Sequence, residues 1–281
     1  MDLPPTTDVI RLEIDGPVVT VTLDRASKYN AMNVEMIEGL ISVLSWVKEH
    51  AAATVGNLVG EEGRPRPRIL HLQAEGRHFC AGADIHMMRE AGASTPEANR
   101  ANAARLDALF NGLWSSPCFT IASIRGVALG GGAGLVACAD YVIAEQGARI
   151  ALSEAKLGIL PAVIGPYVHR RVGSAAFRRL AMQASRVDAE QALRLGLIDE
   201  VVELPEARAH AVIQEVLTTG PVAIAEAKAL TLTLDRWNSS DPELRGAMME
   251  LTSRMRESQE GQEGLSAFLE GRPPNWHMDE A

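Results

Sequence analysis

The chain has 281 residues, of which 47% are hydrophobic and 22% charged, an ordinary balance for one large globular domain with at most a small appendage. The 27 Lys and Arg against 36 Asp and Glu give a formal net charge of -9, which argues against a polyanion such as nucleic acid as the main partner. Every apolar stretch is broken by Gly, Pro or charge well before membrane-spanning length, and "MDLPPTTDVI" carries no basic or apolar leader pattern, so a cytoplasmic protein is expected. Cys80, Cys118 and Cys138 show no C-x-x-C spacing, and the seven His form no metal-binding pattern. The cysteines are expected as buried reduced thiols, with no metal site.

Residues 9–14 and 17–23 alternate or run apolar around "DGP" and predict a β-hairpin. Asn33 is placed to cap a helix through about Lys48, with Val34, Ile37, Leu40, Ile41 and Leu44 on one face. The stretch 51–67 is rich in Gly and Pro and reads as a loop or insertion. "ILHLQA" (69–74) is a short buried strand, followed by the loop "EGRHFCAGAD" with Asp84 as a helix cap. Thr95 and Pro96 open a helix to about Trp114. Strands are expected over 118–124 and 140–145, with a helix between them beginning near Gly131. This strand, loop, helix order implies an α/β core with mostly parallel strands. From about residue 205 strand signals stop, and helices are expected over 205–218, 221–234, 242–257 and 262–269. The expected division is therefore a core of residues 1–204 and a helical region of residues 205–281.

Three segments carry candidate chemistry. In "GVALGGGAGL" (126–135) a strand turns into a helix through three consecutive glycines. The first N–H groups of a helix lack intrahelical partners, the helix dipole adds positive character there, and glycine lets a ligand approach the backbone. A tight packed turn is an equally good reading of that segment alone. It is neither G-x-G-x-x-G nor a G-K-[ST] loop. "HFCAGAD" (78–84) has the same strand, small-residue loop, helix layout, so one N–H from each loop could converge on one oxygen. "IALSEAKLGILPAVIGPYV" (150–168) supplies Glu154 amid apolar neighbours, an environment that raises a carboxyl pKa toward the range useful for proton transfer.

The ordered set "RASKYNAMN", "FCAGADI", "GVALGGGAGL" with "CADYVIA", "LSEAKLGILPAVIGPYVHRRVG" and "RVDAEQALRLGLIDEVV" resembles the enoyl-CoA hydratase/isomerase (crotonase) family over about residues 9–270. The resemblance implies a spiral of ββα units with a C-terminal helical trimerisation region, assembling as a homotrimer or a dimer of trimers. It implies an acyl-CoA substrate, CoA being part of the substrate, and no separate cofactor. It implies backbone donors at Ala83 and Gly131 for the thioester oxygen and Glu154 as acid/base. Ala81, Gly82, Asp84 and Ile85 are implied CoA contacts, Arg25 and Lys28 candidate partners for its phosphates, and Phe268 a cover for the nucleotide. His86, Arg89, Tyr167 and His169 are candidates for the acyl pocket. The first glutamate of two-glutamate hydratases would fall at position 134, which is Gly134 here. The segments around Gly134 and Glu154 resemble bacterial hydratases of branched glutaconyl-CoAs, 3-methylglutaconyl-CoA in leucine breakdown and isohexenylglutaconyl-CoA in acyclic terpene breakdown. That makes a hydratase the expectation. The rivals are an enoyl-CoA isomerase using Glu154 alone and an RNA-binding or scaffold role, against which the charge weighs.

Overall fold

The computed structural model describes the whole chain apart from residues 1, 2, 5, 6, 61, 62, 236, 237 and 279–281. β1 (Ile10–Asp15) and β2 (Val18–Leu23) form the antiparallel hairpin, turning at Gly16. α1 (Val34–His50) follows; the Asn33 side chain accepts from Met36 N, as the sequence predicts. A four-residue helix, α2 (Ala52–Val55), opens the stretch that reads as an insertion. Then come β3 (Ile69–Ala74), α3 (Ile85–Ala93), α4 (Pro96–Trp114), β4 (Phe119–Ile124), β5 (Val127–Leu129), α5 (Gly131–Cys138), β6 (Tyr141–Glu145) and β7 (Arg149–Ala151). A 3₁₀ turn over Glu154–Leu157 leads to α6 (Gly165–Gln183), β8 (Val187–Asp188), α7 (Ala189–Arg194) and β9 (Glu200–Val202). The chain closes with α8 (Pro205–Leu217), α9 (Pro221–Leu234), α10 (Pro242–Glu257) and α11 (Gln259–Glu270).

Six strands form one sheet in the order β1-β2-β3-β4-β6-β9, parallel except for the hairpin pair. A second sheet, β5-β7-β8, stands apart from it. Each turn of the spiral therefore gives one strand to each sheet and then a helix: β4, β5, α5, then β6, β7, α6. The preceding turn has β3, then only the single bridge Cys80–Ala128 to β5, then α3. This is the expected ββα spiral.

Both faces of the large sheet are buried, which is why its central strands read as continuous apolar runs. Leu70, Leu72, Ala122, Ile124, Val142 and Ala144 point into the main core. Ile69, Ile121 and Ile143, on the opposite face, pack against Ala209, Val212, Ile213 and Leu217 of α8. α8 thus covers the sheet, although its sequence pattern groups it with the later helices: a helical periodicity shows that a face is apolar, not which surface it meets. The Arg68 guanidinium, buried at the start of β3, donates to the carbonyls of Leu217, Thr219 and Trp276, tying the end of α8 and the C-terminal segment to the sheet.

Several other features differ from the sequence reading. β5 and β7 lie inside stretches with no strand signal, because three residues show barely one alternation. α6 spans a segment read only as a site motif; it is interrupted at Gly173 (φ 74°, ψ 168°). The last helix begins at Gln259, earlier than expected, because Ser258 caps it by accepting from Gly261 N. Residues 51–67 do not form a plain loop: Ala52 is buried, its N–H donates to Pro67 O, and Val59 bridges Pro65. Cys80, Cys118 and Cys138 are buried free thiols; burial pushes the first two up to about 12. Among the described residues no helix is long and apolar enough to cross a membrane, and no cluster of His, Cys, Asp or Glu is arranged to hold a metal ion.

Candidate active site

The site forms where the loop after β3, the start of α5 and the turn after β7 meet. Residues 81–84 lie alongside 29–32. Ala81 N donates to Tyr29 O, Met32 N to Gly82 O and Asp84 N to Met32 O, at 3.0, 2.8 and 2.9 Å. This parallel bridge uses the groups either side of Ala83 and leaves the Ala83 N–H directed away from it. Ala83 N lies close to the start of α5: a Cβ placed on Gly131 would stand 3.6 Å from it. Gly131 is the first residue of α5, so its N–H also lacks an intrahelical acceptor. Two backbone donors from separate loops therefore border one small space.

The glycines have distinct jobs. Gly130 sits at φ 51° and ψ -117°, a conformation that side-chain-bearing residues avoid, and its N–H donates to Ala151 O at 2.8 Å. Gly132 lets α5 approach the loop after β3: a Cβ there would meet Cys80 O at 2.4 Å. Backbone conformation thus requires Gly130 and close packing requires Gly132, while Gly131 is the residue that opens the helix.

Glu154 begins the 3₁₀ turn after β7. The hydrogen bond between Gly130 and the end of β7 brings it against the glycines, and a Cβ on Gly130 would lie 3.1 Å from Glu154 Oε1. Glu154 Oε2 is buried with no hydrogen-bond partner among the described residues. Burial holds its carboxyl above the ordinary value of 4.5, opposed in part by its own backbone N–H.

Gly134 faces the same region, one turn along α5, but against an apolar wall. A Cβ there would stand 2.3 Å from Ile164 Cγ2 and 2.9 Å from Phe110 Cε1. The space that a side chain at 134 would need is filled. Phe110 and Ile164, like Met32, whose Cε would lie 2.6 Å from a Cβ on Gly131, were not singled out by the sequence. An apolar residue carries no local sign of what it packs against.

Residues 13–279 match the family described as enoyl-CoA hydratase/isomerase. The chain belongs to that family. A crystal structure of an enoyl-CoA hydratase from Shewanella pealeana superposes with a TM-score of 0.87 at 38% identity, covering 95% of this chain and 96% of that one. Pseudomonas aeruginosa AtuE follows at 0.85 and 33%, covering 96% and 100%. A Rhodobacter capsulatus protein described as a probable enoyl-CoA hydratase is 30% identical, covering 95% of this chain and 97% of that one. The fold is the crotonase fold, and the chain is an acyl-CoA enzyme of the hydratase/isomerase type.

Within this hydratase/isomerase chain the remaining candidate residues are distributed as follows. Lys28, on the 3₁₀ turn Ala26–Lys28, is exposed, and Ile85 is exposed at the start of α3. Arg25 is not a free cation: it pairs with Asp84 at 2.8 Å and also donates to Ala31 O. Asp84 in turn caps α3, accepting from His86 N, and the Arg25 guanidinium holds its carboxyl below the usual range. His86 and Arg89 are exposed on α3. Tyr167 packs its ring 5.6 Å from Trp114, and burial pushes its phenol up to about 12. His169 bonds Ser174 on the exposed side of α6, so its ring is engaged there. Phe268 stands on α11 with 85% of its surface exposed.

Proposed function

We propose that the protein is a CoA-thioester hydratase that adds water to the conjugated double bond of a branched glutaconyl-CoA, with Glu154 as its single acid/base. The observation that carries the reading is the buried Glu154 oxygen, close to two backbone donors, Ala83 N–H and Gly131 N–H, all three without a partner among the described residues. Glu154 takes a proton from water as the water oxygen bonds to the β-carbon. The electron pair of the double bond moves through the α-carbon to the thioester oxygen, where the two N–H groups stabilise the enolate. Glu154 then delivers its proton to the α-carbon on the same face, so one water is added in total. A carboxyl raised by burial both accepts and donates near neutral pH more readily than an exposed one. The branched glutaconyl choice rests on the sequence resemblance, and such a substrate brings its own carboxylate to orient water where a second glutamate is absent. CoA would lie along residues 81–85 beside the loop that ends in Lys28, with Phe268 over its nucleotide. The same reading extends to a homotrimer or a dimer of trimers.

One observation favours a second reading. Ile164 and Phe110 make the wall at Gly134 apolar, and an apolar wall does not position water. An enoyl-CoA isomerase needs none: Glu154 removes a proton from the α-carbon and returns it to the γ-carbon. Incubation with a panel of enoyl-CoAs, with products resolved by mass and double-bond position, separates the two. Gain of one water by 3-methylglutaconyl-CoA or isohexenylglutaconyl-CoA, with crotonyl-CoA much slower, supports the hydratase. Unchanged mass with a shifted double bond establishes the isomerase, and turnover of crotonyl-CoA in preference removes the branched substrate.

A further inference from the structure

We propose that Arg25 and Asp84 form a positioning pair that holds the Ala83 N–H donor in place, and that Arg25 does not bind the phosphates of CoA. The inference rests on the enolate chemistry of the proposed function.

Arg25 lies at the end of β2, 59 positions before Asp84, and its side chain is 20% exposed against 15% for Asp84. One guanidinium nitrogen, Nη1, donates both to Asp84 Oδ2 and to Ala31 O, each at 2.8 Å. The pair therefore clamps both strands of the short bridge that carries Ala83. The turn beneath it is fixed by Asn30, which is fully buried and left-handed (φ 54°). Its side chain accepts from Arg25 N and donates to Glu75 O and His78 O. On the other side of Ala83, Gly82 has φ 102°, a conformation with little intrinsic preference to hold the next peptide in one direction. The peptide that carries the Ala83 N–H is held through its carbonyl, Gly82 O, which accepts from Met32 N at 2.8 Å; the Arg25–Asp84 ion pair and the cap on α3 brace that bridge from its other end. Charge-assisted bonds between largely enclosed groups are stronger than surface pairs, and leaving one partner behind uncompensated is costly. A guanidinium with Nη1 committed to two acceptors and a side chain only 20% exposed is not the fully presented cation of this loop. Lys28, at the exposed end of the same loop, is.

Two substrates distinguish positioning from phosphate binding: the 3-methylglutaconyl group (or whichever acyl group the panel turns over fastest) as its CoA thioester and as its N-acetylcysteamine thioester. The second has no nucleotide or phosphates. For a positioning pair, Arg25→Gln lowers kcat on the order of 10- to 100-fold, by a similar factor on both thioesters, since a displaced donor is felt at the reacting carbonyl. Asp84→Asn, which keeps the helix cap, gives the same loss. The double variant is no worse than either single one, because the interaction is removed once. Arg25→Lys, which keeps the charge but reaches one acceptor, recovers part of kcat. Circular dichroism and melting establish which variants are folded, and the Asp84→Asn and Arg25→Lys proteins carry the test if Arg25→Gln does not fold. A rise in KM confined to the CoA thioester with kcat unchanged, full kcat on both, or multiplicative losses in the double variant overturns the inference. Inactivity of the wild type on every thioester overturns the functional reading itself and takes this inference with it.

Discussion

Glu154 closes over Gly130: a Cβ added to Gly130 would stand 3.1 Å from the carboxylate oxygen Oε1. The backbone conformation that keeps the acid/base candidate beside the helix start is thus one that only glycine adopts easily. Gly130→Ala is expected to cost about 1–3 kcal/mol of stability from backbone strain. It also pushes the carboxylate, so kcat falls more than KM changes. Melting curves and steady-state kinetics check both; an alanine variant with wild-type kcat shows that the contact is incidental.

Glu154→Gln keeps the shape and removes the titrating group. Activity should fall on the order of 100-fold or more, the scale of lost general acid–base catalysis. Stability moves the other way. Burial raises the carboxyl in the folded protein, so the folded state binds the proton more tightly than the unfolded chain. That contribution to stability is complete below the ordinary value of 4.5 and is lost as pH rises through the higher folded value. The Gln variant should therefore melt above wild type at neutral pH, and its advantage should vanish on acidification below 4.5. An active Gln variant moves the acid/base role elsewhere.

Gly131→Pro removes one donor outright at the first position of a helix, where proline is otherwise tolerated. The expected fall in rate is on the order of 100-fold or more. Gly131→Ala, which retains the N–H but sets a Cβ 2.6 Å from Met32 Cε, controls for crowding and should lose less. Equal losses in the two variants assign the effect to crowding alone.

Gly134→Glu should not restore a two-carboxylate site. Its Cβ overlaps Ile164 and Phe110, and overpacking of this kind typically costs about 1–3 kcal/mol before the cost of the buried charge is added. Gly134→Ala and Ile164→Ala should be non-additive, the double variant losing less stability than the sum of the single ones. Strict additivity in denaturant titrations indicates that the two residues do not share this space.

The proposed oligomer has its own test. Leu265 and Leu269, one turn apart on α11, are exposed by 52% and 83%. Beside them a groove of about 600 Å³ is lined by Leu230, Leu251, Met255 and Trp276. This apolar surface is the part of the helical region that a second copy would cover in the proposed assembly. Sedimentation should show the wild type as a multiple of the chain, and Leu265→Asp with Leu269→Asp should release monomers. A monomeric wild type removes the assembly.

Much of this protein is written locally. Asn33, Asp84 and Thr95 cap their helices as their positions predict, because a cap depends on a side chain and an N–H two or three residues away. The runs at 69–74 and 119–124 become buried central strands because their own apolarity demands cover on both faces. The glycines open a helix start because little else fits there, but Glu154 is half-buried against that glycine run and not by its own flank, for Leu157, Ile159 and Leu160 are exposed. What the sequence alone leaves undecided depends on residues far apart in the chain. Nothing near Arg25 tells that its partner is Asp84 rather than a phosphate, and nothing near Gly134 tells that Phe110 and Ile164 fill its flank. The second sheet comes from strands of two or three residues, too short to show a period, and α8 covers the large sheet only because the spiral brings Ile69, Ile121 and Ile143 into one surface. Capping and periodicity act within a few residues and can be read there; the choice of partner across the spiral is made only when the chain closes on itself.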